Sequence, residues 1–174
     1  MRRADAAAGA GEEQPGRAVS LAQAAALGGL LSRRGWSVAV AESCTGGLLG
    51  ATLTAAPGSS AYVRGGVIAY ANDLKVRLLG VEPGLLERHG AVSDPVVRAM
   101  AVGVRSAAGA EVGIAITGVA GPGASEAKPA GLIFIGVATP DAVRVVRLTR
   151  DLGRDANRQT AVREALLAAA AAIA

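Results

Sequence analysis

Apolar runs of strand length alternate with segments of helical spacing along most of the chain. The runs predict five strands, at residues 36–41, 62–70, 111–117, 130–138 and 142–148. Apolar positions three and four residues apart predict the longer helices, at residues 19–34, 45–55, 95–108 and 153–174. Because strands and helices alternate first and a strand hairpin follows, the pattern predicts an α/β protein, a three-layer α/β/α sandwich with a mixed, mostly parallel sheet.

The first 17 residues differ from the rest of the chain. They are rich in Ala, Gly, Glu and Pro without periodicity, which predicts a disordered tail, and residues 18–174 are expected to form a single domain. The N-terminus lacks the apolar core of a signal peptide, and the Ala-rich stretch at 165–174 is too short to span a bilayer. We therefore expect a cytoplasmic protein with no membrane partner.

The amino-acid composition limits the kinds of binding and catalytic site that the domain can contain. The chain has 1 Cys and 1 His, which excludes an internal disulfide and a zinc site of Cys and His ligands, so no metal is expected. The net charge of +4 comes from scattered arginines without interleaved aromatic residues, so no nucleic-acid partner is expected. Of the 18 basic residues only Lys75 and Lys128 are lysines, which points to places where an amine is needed.

The segment Ala-Glu-Ser-Cys-Thr-Gly-Gly at residues 41–47 lies where a predicted strand meets a predicted helix. A helix start offers free backbone N–H groups and a positive dipole end, which can bind an anion or stabilise an oxyanion. Ser43 and Cys44 are both candidate nucleophiles at this place. On the local sequence alone, an ordinary helix cap is the commoner interpretation.

Polar groups follow three of the predicted strands, at residues 43–45, 70–75 and 117–123. Ligands bind outside the carboxyl ends of the strands in open α/β sheets, so parallel neighbouring strands would bring these segments to one edge. Such a meeting of polar segments favours one ligand-binding site over three unrelated helix caps. The Gly-rich loop after Thr117 matches neither the Walker nor the GxGxxG pattern, but its glycines permit close approach to a phosphate. Lys128, just beyond, could contact that phosphate or anchor the loop.

A serine–lysine pair is the nucleophilic chemistry that these residues favour. The one histidine, His89, follows a predicted helix, where a cation at the helix end is the ordinary role. A partly desolvated Lys75 would be neutral and could take the proton of Ser43, and Tyr70 could relay that proton or orient the lysine. The alternatives are a solvated helix lysine and a half-buried strand tyrosine.

Two neighbours of Ser43 leave further alternatives open. Cys44 is a rival nucleophile if the helix end lowers its pKa, although a small buried hydrophobe is its commoner role. Glu42 could bind a ligand hydroxyl or the amine of Lys75, and a capping or solvated carboxylate is an equal expectation.

Together these motifs resemble the C-terminal domain of the competence/damage-inducible protein CinA, which also occurs alone as nicotinamide-nucleotide amidohydrolase. The matching pieces occur in family order over residues 18–170 and include residues 41–47, Gly-Gly-Val-Ile-Ala-Tyr at 65–70, Lys75, Ile-Thr-Gly-Val-Ala-Gly-Pro at 116–122 and Gly153-Arg154. The resemblance implies an α/β/α domain, a homodimer or higher homo-oligomer, and no metal or other cofactor. It also implies an enzyme of pyridine nucleotide salvage, which hydrolyses the carboxamide of a small-molecule nucleotide, nicotinamide mononucleotide, to nicotinic acid mononucleotide and ammonia.

The resemblance also implies roles for individual residues. Ser43 is the expected nucleophile, with Lys75 and Tyr70 as its activating partners. Backbone N–H groups at residues 45–47 are expected to hold the oxyanion. The expected substrate-binding residues are Glu42, Thr45, Gly46, Gly47, Thr117, Gly118, Gly121 and Arg154.

One segment departs from the family pattern. The loop from Gly121 to Lys128 is one residue shorter than the usual form, and Ala124 stands where a glycine is expected. This departure leaves an alternative open, a catalytically weak or inactive nucleotide-binding or interaction module of the same fold. A third hypothesis, nucleic-acid binding, rests on the basic charge alone.

Overall fold

The computed structural model describes the backbone of residues 15–174 and the side chains from Ser20 onward. Its strands are β1 Val38–Glu42, β2 Val63–Ile68, β3 Val112–Gly118, β4 Ile133–Ala138 and β5 Val143–Leu148. Its helices are α1 Pro15–Arg34, α2 Leu48–Thr54, α3 Asn72–Leu79, α4 Pro83–His89, α5 Asp94–Ala108 and α6 Arg154–Ile173. None of these described helices combines the length and the apolar character needed to cross a bilayer.

The five strands form one mixed sheet in the order β2-β1-β3-β4-β5. β1 pairs parallel with β2 and β3, whereas β4 pairs antiparallel with β3 and β5, so four strands run one way and β4 runs against them. Glu42 at the end of β1 is in register with Ile68 of β2 and Ile116 of β3. The carboxyl ends of the three parallel strands therefore lie side by side, as the sequence predicts.

Helices cover both faces of the sheet and complete the three predicted layers. On one face, α1, α2 and α6 bury an aliphatic cluster against alternate strand residues such as Val38 and Val40. On the other face, α3, α4 and α5 pack against smaller strand residues such as Ala39. These allow α5 to approach closely, since a Cβ on Gly113 of β3 would lie 2.1 Å from Ala101 O of α5. The α/β/α sandwich is thus confirmed, with small and branched side chains filling its two interfaces.

Two helix starts differ from the sequence prediction by more than one residue. α1 begins at Pro15, so residues 15–17 belong to a helix rather than to the predicted tail, whose other residues, 1–14, lie outside the described residues. α2 begins at Leu48 rather than at residue 45, because Gly46 and Gly47 have φ angles of 59° and 96°. That left-handed conformation cannot continue a right-handed helix, so residues 43–47 form an irregular turn between β1 and α2.

Candidate active site

Ser43 follows β1 directly and lies where the three parallel strands end. Its backbone N–H donates to Ile116 O of β3 at 3.0 Å, which extends the pairing of β1 and β3 by one residue. The side chain is 8 % exposed and lines a pocket at the carboxyl edge of the sheet. Strand pairing therefore fixes the backbone that carries the Ser43 hydroxyl.

Lys75 reaches Ser43 from α3. Its Nζ lies 3.3 Å from Ser43 Oγ, 2.9 Å from Ala69 O and 3.1 Å from Tyr70 O. An uncharged amine has two N–H groups and one lone pair. In the charged form, Lys75 donates one N–H to each of the three oxygens. In the neutral form, the two carbonyls accept both N–H groups, and the lone pair is left for the hydroxyl of Ser43. The contacts therefore fit both forms, and the neutral form could take the serine proton.

The surroundings of Lys75 shift its pKa towards easier loss of the proton. The residue is 1 % exposed, and burial lowers its pKa below the usual value of 10.5, because a charged amine loses its hydration. The charges of Glu126 and Cys44 act on this pKa in the opposite direction, as smaller influences. A buried lysine with a lowered pKa beside a hydroxyl is the arrangement that a general base requires.

A pocket of about 270 Å³ contains this pair in its wall. The end of β3 and the Gly-rich loop that follows it contribute residues 117–126, so Thr117, Gly118 and Gly121 lie where a ligand would contact them. The remaining lining residues are Ser43, Cys44, Tyr70, Asn72, Lys75, Ala91, Val92 and Arg154. The three segments that the sequence predicts to converge therefore meet around one cavity.

Thr117 and Gly118 shape the wall of this pocket. Thr117 is 1 % exposed, and its hydroxyl donates to Ala91 O at 2.9 Å, which ties β3 to the segment before α5. A Cβ on Gly118 would lie 2.6 Å from the Ile133 side chain, so a larger residue does not fit there without a shift. Both residues thus act on the pocket mainly through its shape.

The Gly-rich loop is fastened by two basic side chains. Lys128 Nζ donates to His89 O at 2.6 Å and to Val92 O at 2.8 Å, so Lys128 anchors the loop against the segment after α4. Arg154, at the start of α6, donates from Nη1 to Gly121 O at 2.6 Å. The Arg154 side chain lines the pocket, and its guanidinium has further N–H groups that a ligand could engage.

Glu42 does not line this pocket, contrary to the expected substrate-binding role. It is 1 % exposed, and its carboxylate accepts the backbone N–H groups of Gly47 and Leu49 at 3.0 Å each and of Gly50 at 2.8 Å. Such N–H groups at a helix start have no partner within the helix. Glu42 therefore caps α2, which is the structural alternative for this residue.

The turn at residues 45–47 also differs from its expected role. Gly46 N–H donates to Ser43 O at 3.1 Å, Gly47 N–H donates to the capping carboxylate, and Thr45 is fully buried. None of the three lines the pocket, so their N–H groups are not placed to hold an oxyanion. Cys44 does line it, and within the described residues its N–H donates to no carbonyl or carboxylate.

Tyr70 contributes its backbone carbonyl rather than its ring to the lysine. The carbonyl accepts the Lys75 amine, whereas the residue is 59 % exposed and its hydroxyl has no hydrogen-bond partner among the described residues. The ring lies at the pocket, where a ligand could contact it. The proton relay expected of Tyr70 therefore has no hydrogen-bonded path in this structure.

Cys44 packs beside the nucleophile without competing with it. It is 6 % exposed, and burial raises the pKa of its thiol to about 11. Because the thiolate is the reactive form of cysteine, a thiol with this pKa is a poor nucleophile near neutral pH. This favours Ser43 over its neighbour.

Two further pocket residues carry no signal in the sequence. Glu126 Oε2 accepts the Ala91 N–H at 3.0 Å, and Glu126 Oε1 lies 3.4 Å from Asn72 Nδ2. In the sequence, Asn72 has the position of an ordinary helix cap and Glu126 that of a solvated loop carboxylate. Glu126 reaches the pocket through the folded course of the Gly-rich loop, and Asn72 reaches it as the first residue of α3.

Comparison with known proteins agrees with this architecture. The family model of the CinA C-terminal domain matches residues 21–173. A CinA-like protein from Gloeobacter violaceus is 53 % identical over 146 residues, which cover 82 % of this chain and 34 % of that protein. A CinA superfamily protein from Klebsiella pneumoniae has a solved structure with a TM-score of 0.85 and 32 % identity, covering 88 % of this chain and 97 % of that one.

A second solved structure, of the competence/damage inducible protein CihA from Agrobacterium tumefaciens, has a TM-score of 0.83 and 37 % identity. It covers 86 % of this chain and 93 % of the other. The chain therefore belongs to the CinA C-terminal domain family. It spans about a third of the length of the curated relatives that it matches.

Proposed function

Since the chain is a CinA C-terminal domain, we propose that it hydrolyses the carboxamide of nicotinamide mononucleotide to nicotinic acid mononucleotide and ammonia. The observation that carries this proposal is the 3.3 Å contact between the buried Lys75 amine and the Ser43 hydroxyl at the wall of a pocket. An amide is a poor electrophile, so an activated hydroxyl beside a neutral amine is the machinery its hydrolysis needs.

The first half of the reaction forms an ester on Ser43. The Ser43 oxygen attacks the carboxamide carbon, and its proton passes to Lys75 Nζ. The C–N bond then breaks, the proton on Lys75 passes to the departing nitrogen, and ammonia leaves. Lys75 ends this half neutral, as it began, so one amine serves first as base and then as acid.

The second half releases the acid. Water attacks the ester carbon and gives one proton to Lys75, the bond from the carbon to Ser43 Oγ breaks, and that proton returns to the serine oxygen. The product is nicotinic acid mononucleotide, and the enzyme is restored. In both halves the developing oxyanion needs a donor, for which we propose the Cys44 N–H, since it lies beside the nucleophile at the pocket.

The test is ammonia release from nicotinamide mononucleotide by the purified protein. We expect turnover in the wild type, none above background in Ser43→Ala, and full turnover in Ser106→Ala, the same change at an exposed serine of α5 outside the pocket. Wild-type protein that releases no ammonia, or Ser43→Ala protein that releases it at the wild-type rate, would overturn the proposal.

The shortened loop supports a second candidate, a nucleotide-binding or interaction module without turnover. Ser43 is only 8 % exposed, and the Glu126 carboxylate faces a pocket that should receive an anionic phosphate. This candidate predicts that nicotinamide mononucleotide raises the melting temperature of the wild type while no ammonia appears. The same samples used for the ammonia assay decide between the two.

We also propose a cytoplasmic homodimer or higher homo-oligomer that binds neither nucleic acid nor membranes. The proposal follows from the family resemblance and from the scattered placement of the arginines. Light scattering of the purified protein measures the assembly, and a mass equal to one chain at micromolar concentration would contradict it.

A further inference from the structure

The pocket carries two opposite charges that the reaction above does not use. Glu126 lies on the Gly-rich loop, and Arg154 lies at the start of α6; both line the same cavity as Ser43 and Lys75. Nothing in the acyl-transfer chemistry requires a carboxylate there. A carboxylate at a phosphate-binding pocket repels the phosphate unless a positive charge of the protein or of the ligand lies close to it.

The backbone holds Glu126 in an unusual turn. Glu126 and Ala127 have φ angles of 51° and 57°, a left-handed conformation that residues other than glycine adopt rarely. Ser125 and Lys128 close this turn with two backbone hydrogen bonds, of 3.0 and 2.9 Å. The turn places the carboxylate against Ala91 N–H, so Glu126 is held at the pocket by this hydrogen bond although the residue is exposed.

The two charges are attached to opposite layers of the sandwich. Glu126 contacts the N–H of Ala91 and the amide of Asn72, which belong to the layer of α3, α4 and α5. Arg154 belongs to α6, in the other layer, and contacts the far end of the loop at Gly121 O. A ligand in the pocket therefore meets a negative group on one side and a positive group on the other.

We propose that Glu126 and Arg154 form a charge pair that selects a zwitterionic substrate, with the cationic ring towards Glu126 and the phosphate towards Arg154. This inference rests on the proposed function and adds to it the reason for substrate choice. Nicotinamide mononucleotide has this charge pattern, because its pyridinium ring is positive and its phosphate negative. Neutral amides and nucleosides without phosphate lack one or both charges.

A crossed experiment separates the two contacts. The substrates are nicotinamide mononucleotide, its dihydro form, whose ring is neutral, and nicotinamide riboside, which keeps the cationic ring and lacks the phosphate. The variants are Glu126→Gln and Arg154→Gln, with Glu87→Gln on the exposed surface of α4 as the matched control. Gln at position 126 can still accept the Ala91 N–H, so this variant removes the negative charge and retains the hydrogen bond that holds the side chain.

We expect Glu126→Gln to reduce the preference for the cationic over the neutral ring, as a ratio of kcat/KM values, by about five- to tenfold. The preference for the phosphate is the ratio of kcat/KM for nicotinamide mononucleotide to kcat/KM for nicotinamide riboside. In the same variant this ratio should stay within about twofold of the wild type. Arg154→Gln should do the reverse, by similar factors, and Glu87→Gln should change neither ratio. Comparing ratios removes the lower intrinsic reactivity of the dihydro amide, since that factor is the same in every variant.

The inference is overturned if Glu126→Gln keeps the wild-type ring preference, or if both variants lower both preferences equally, as a loss of pocket shape would. Absence of ammonia from all three compounds in the wild type would overturn the proposed function instead. In that case, calorimetric binding of the same three compounds to the same variants tests the charge pair, and the crossed pattern must appear in the dissociation constants.

Discussion

The floor and the rim of the pocket are built in different ways. At the floor, Ser43 and Lys75 are almost fully buried and lie at the ends of paired strands or on a helix packed against them. At the rim, the Gly-rich loop is exposed and depends on side chains bonded to carbonyls, such as those of Lys128 and Arg154. We propose that the chemistry belongs to the sheet edge and substrate choice to the loop, which loops commonly supply.

The largest effect is expected at the floor. Lys75→Met keeps the length and apolar stem of the side chain and removes the base, so kcat for ammonia release should fall by about 10³-fold. Circular dichroism checks that the variant is folded. A kcat within tenfold of the wild type would mean that the floor does not carry the chemistry.

Glu42→Gln tests the support beneath the nucleophile. The Glu42 carboxylate accepts the backbone N–H groups of Gly47, Leu49 and Gly50 at the start of α2, and an amide must turn a donor towards at least one of them. Chemical denaturation should show a loss of about 2 kcal/mol in the free energy of unfolding. Kcat should also fall, by about tenfold, because the cap is joined to the turn that carries Ser43.

The matched control is Glu111→Gln, at the opposite edge of the sheet. Glu111 accepts the Ser37 N–H at 2.7 Å and the Ser37 hydroxyl at 2.8 Å, and it is less buried than Glu42. We expect a loss of at most about 1 kcal/mol and unchanged kcat. Equal losses in the two variants would contradict the special role given to the Glu42 cap.

Lys128→Met tests the rim. It frees the carbonyls of His89 and Val92 and loosens the loop, so KM for nicotinamide mononucleotide should rise by about fivefold while kcat changes by less than about twofold. Steady-state kinetics measure both constants. A fall in kcat as large as that of Lys75→Met would remove the distinction between floor and rim.

Tyr70→Phe should have the smallest effect. The Tyr70 contact to Lys75 comes from the backbone carbonyl, and the hydroxyl has no hydrogen-bond partner among the described residues. Kcat should stay within about twofold of the wild type. A loss of a hundredfold would restore the proton relay that the sequence suggests and the structure does not show.

The meeting of Ser43 and Lys75 at the floor of the pocket was predictable, because it follows from the topology of the sheet. Parallel strands bring their carboxyl ends together, so polar residues after three strands indicate a shared site, and the rarity of lysine draws attention to Lys75. The sequence left the role of Glu42 open between ligand binding and capping, because the outcome depends on the helix starting at Leu48. That start depends on the left-handed conformation of Gly46 and Gly47, which the sequence permits but does not require.

The rim was less predictable for a related reason. Glu126 reaches the pocket because Glu126 and Ala127 both adopt left-handed φ angles, which no pattern of residues in this loop demands. Likewise, a tyrosine after a strand does not reveal that its carbonyl will hold the lysine. Spacing identifies residues that can meet, whereas side-chain and carbonyl contacts depend on local backbone geometry.

The pKa of Lys75 tests the central claim most directly. The 174-residue chain has only two lysines, Lys75 and Lys128, so protein labelled with ¹³C at lysine Cε gives two signals, which Lys128→Arg assigns. Burial should place the titration of Lys75 below the usual 10.5, so that its neutral fraction, and kcat/KM with it, rises with pH through that lower value. A Lys75 signal that titrates at or above 10.5 would contradict the account of this lysine as the neutral base of Ser43.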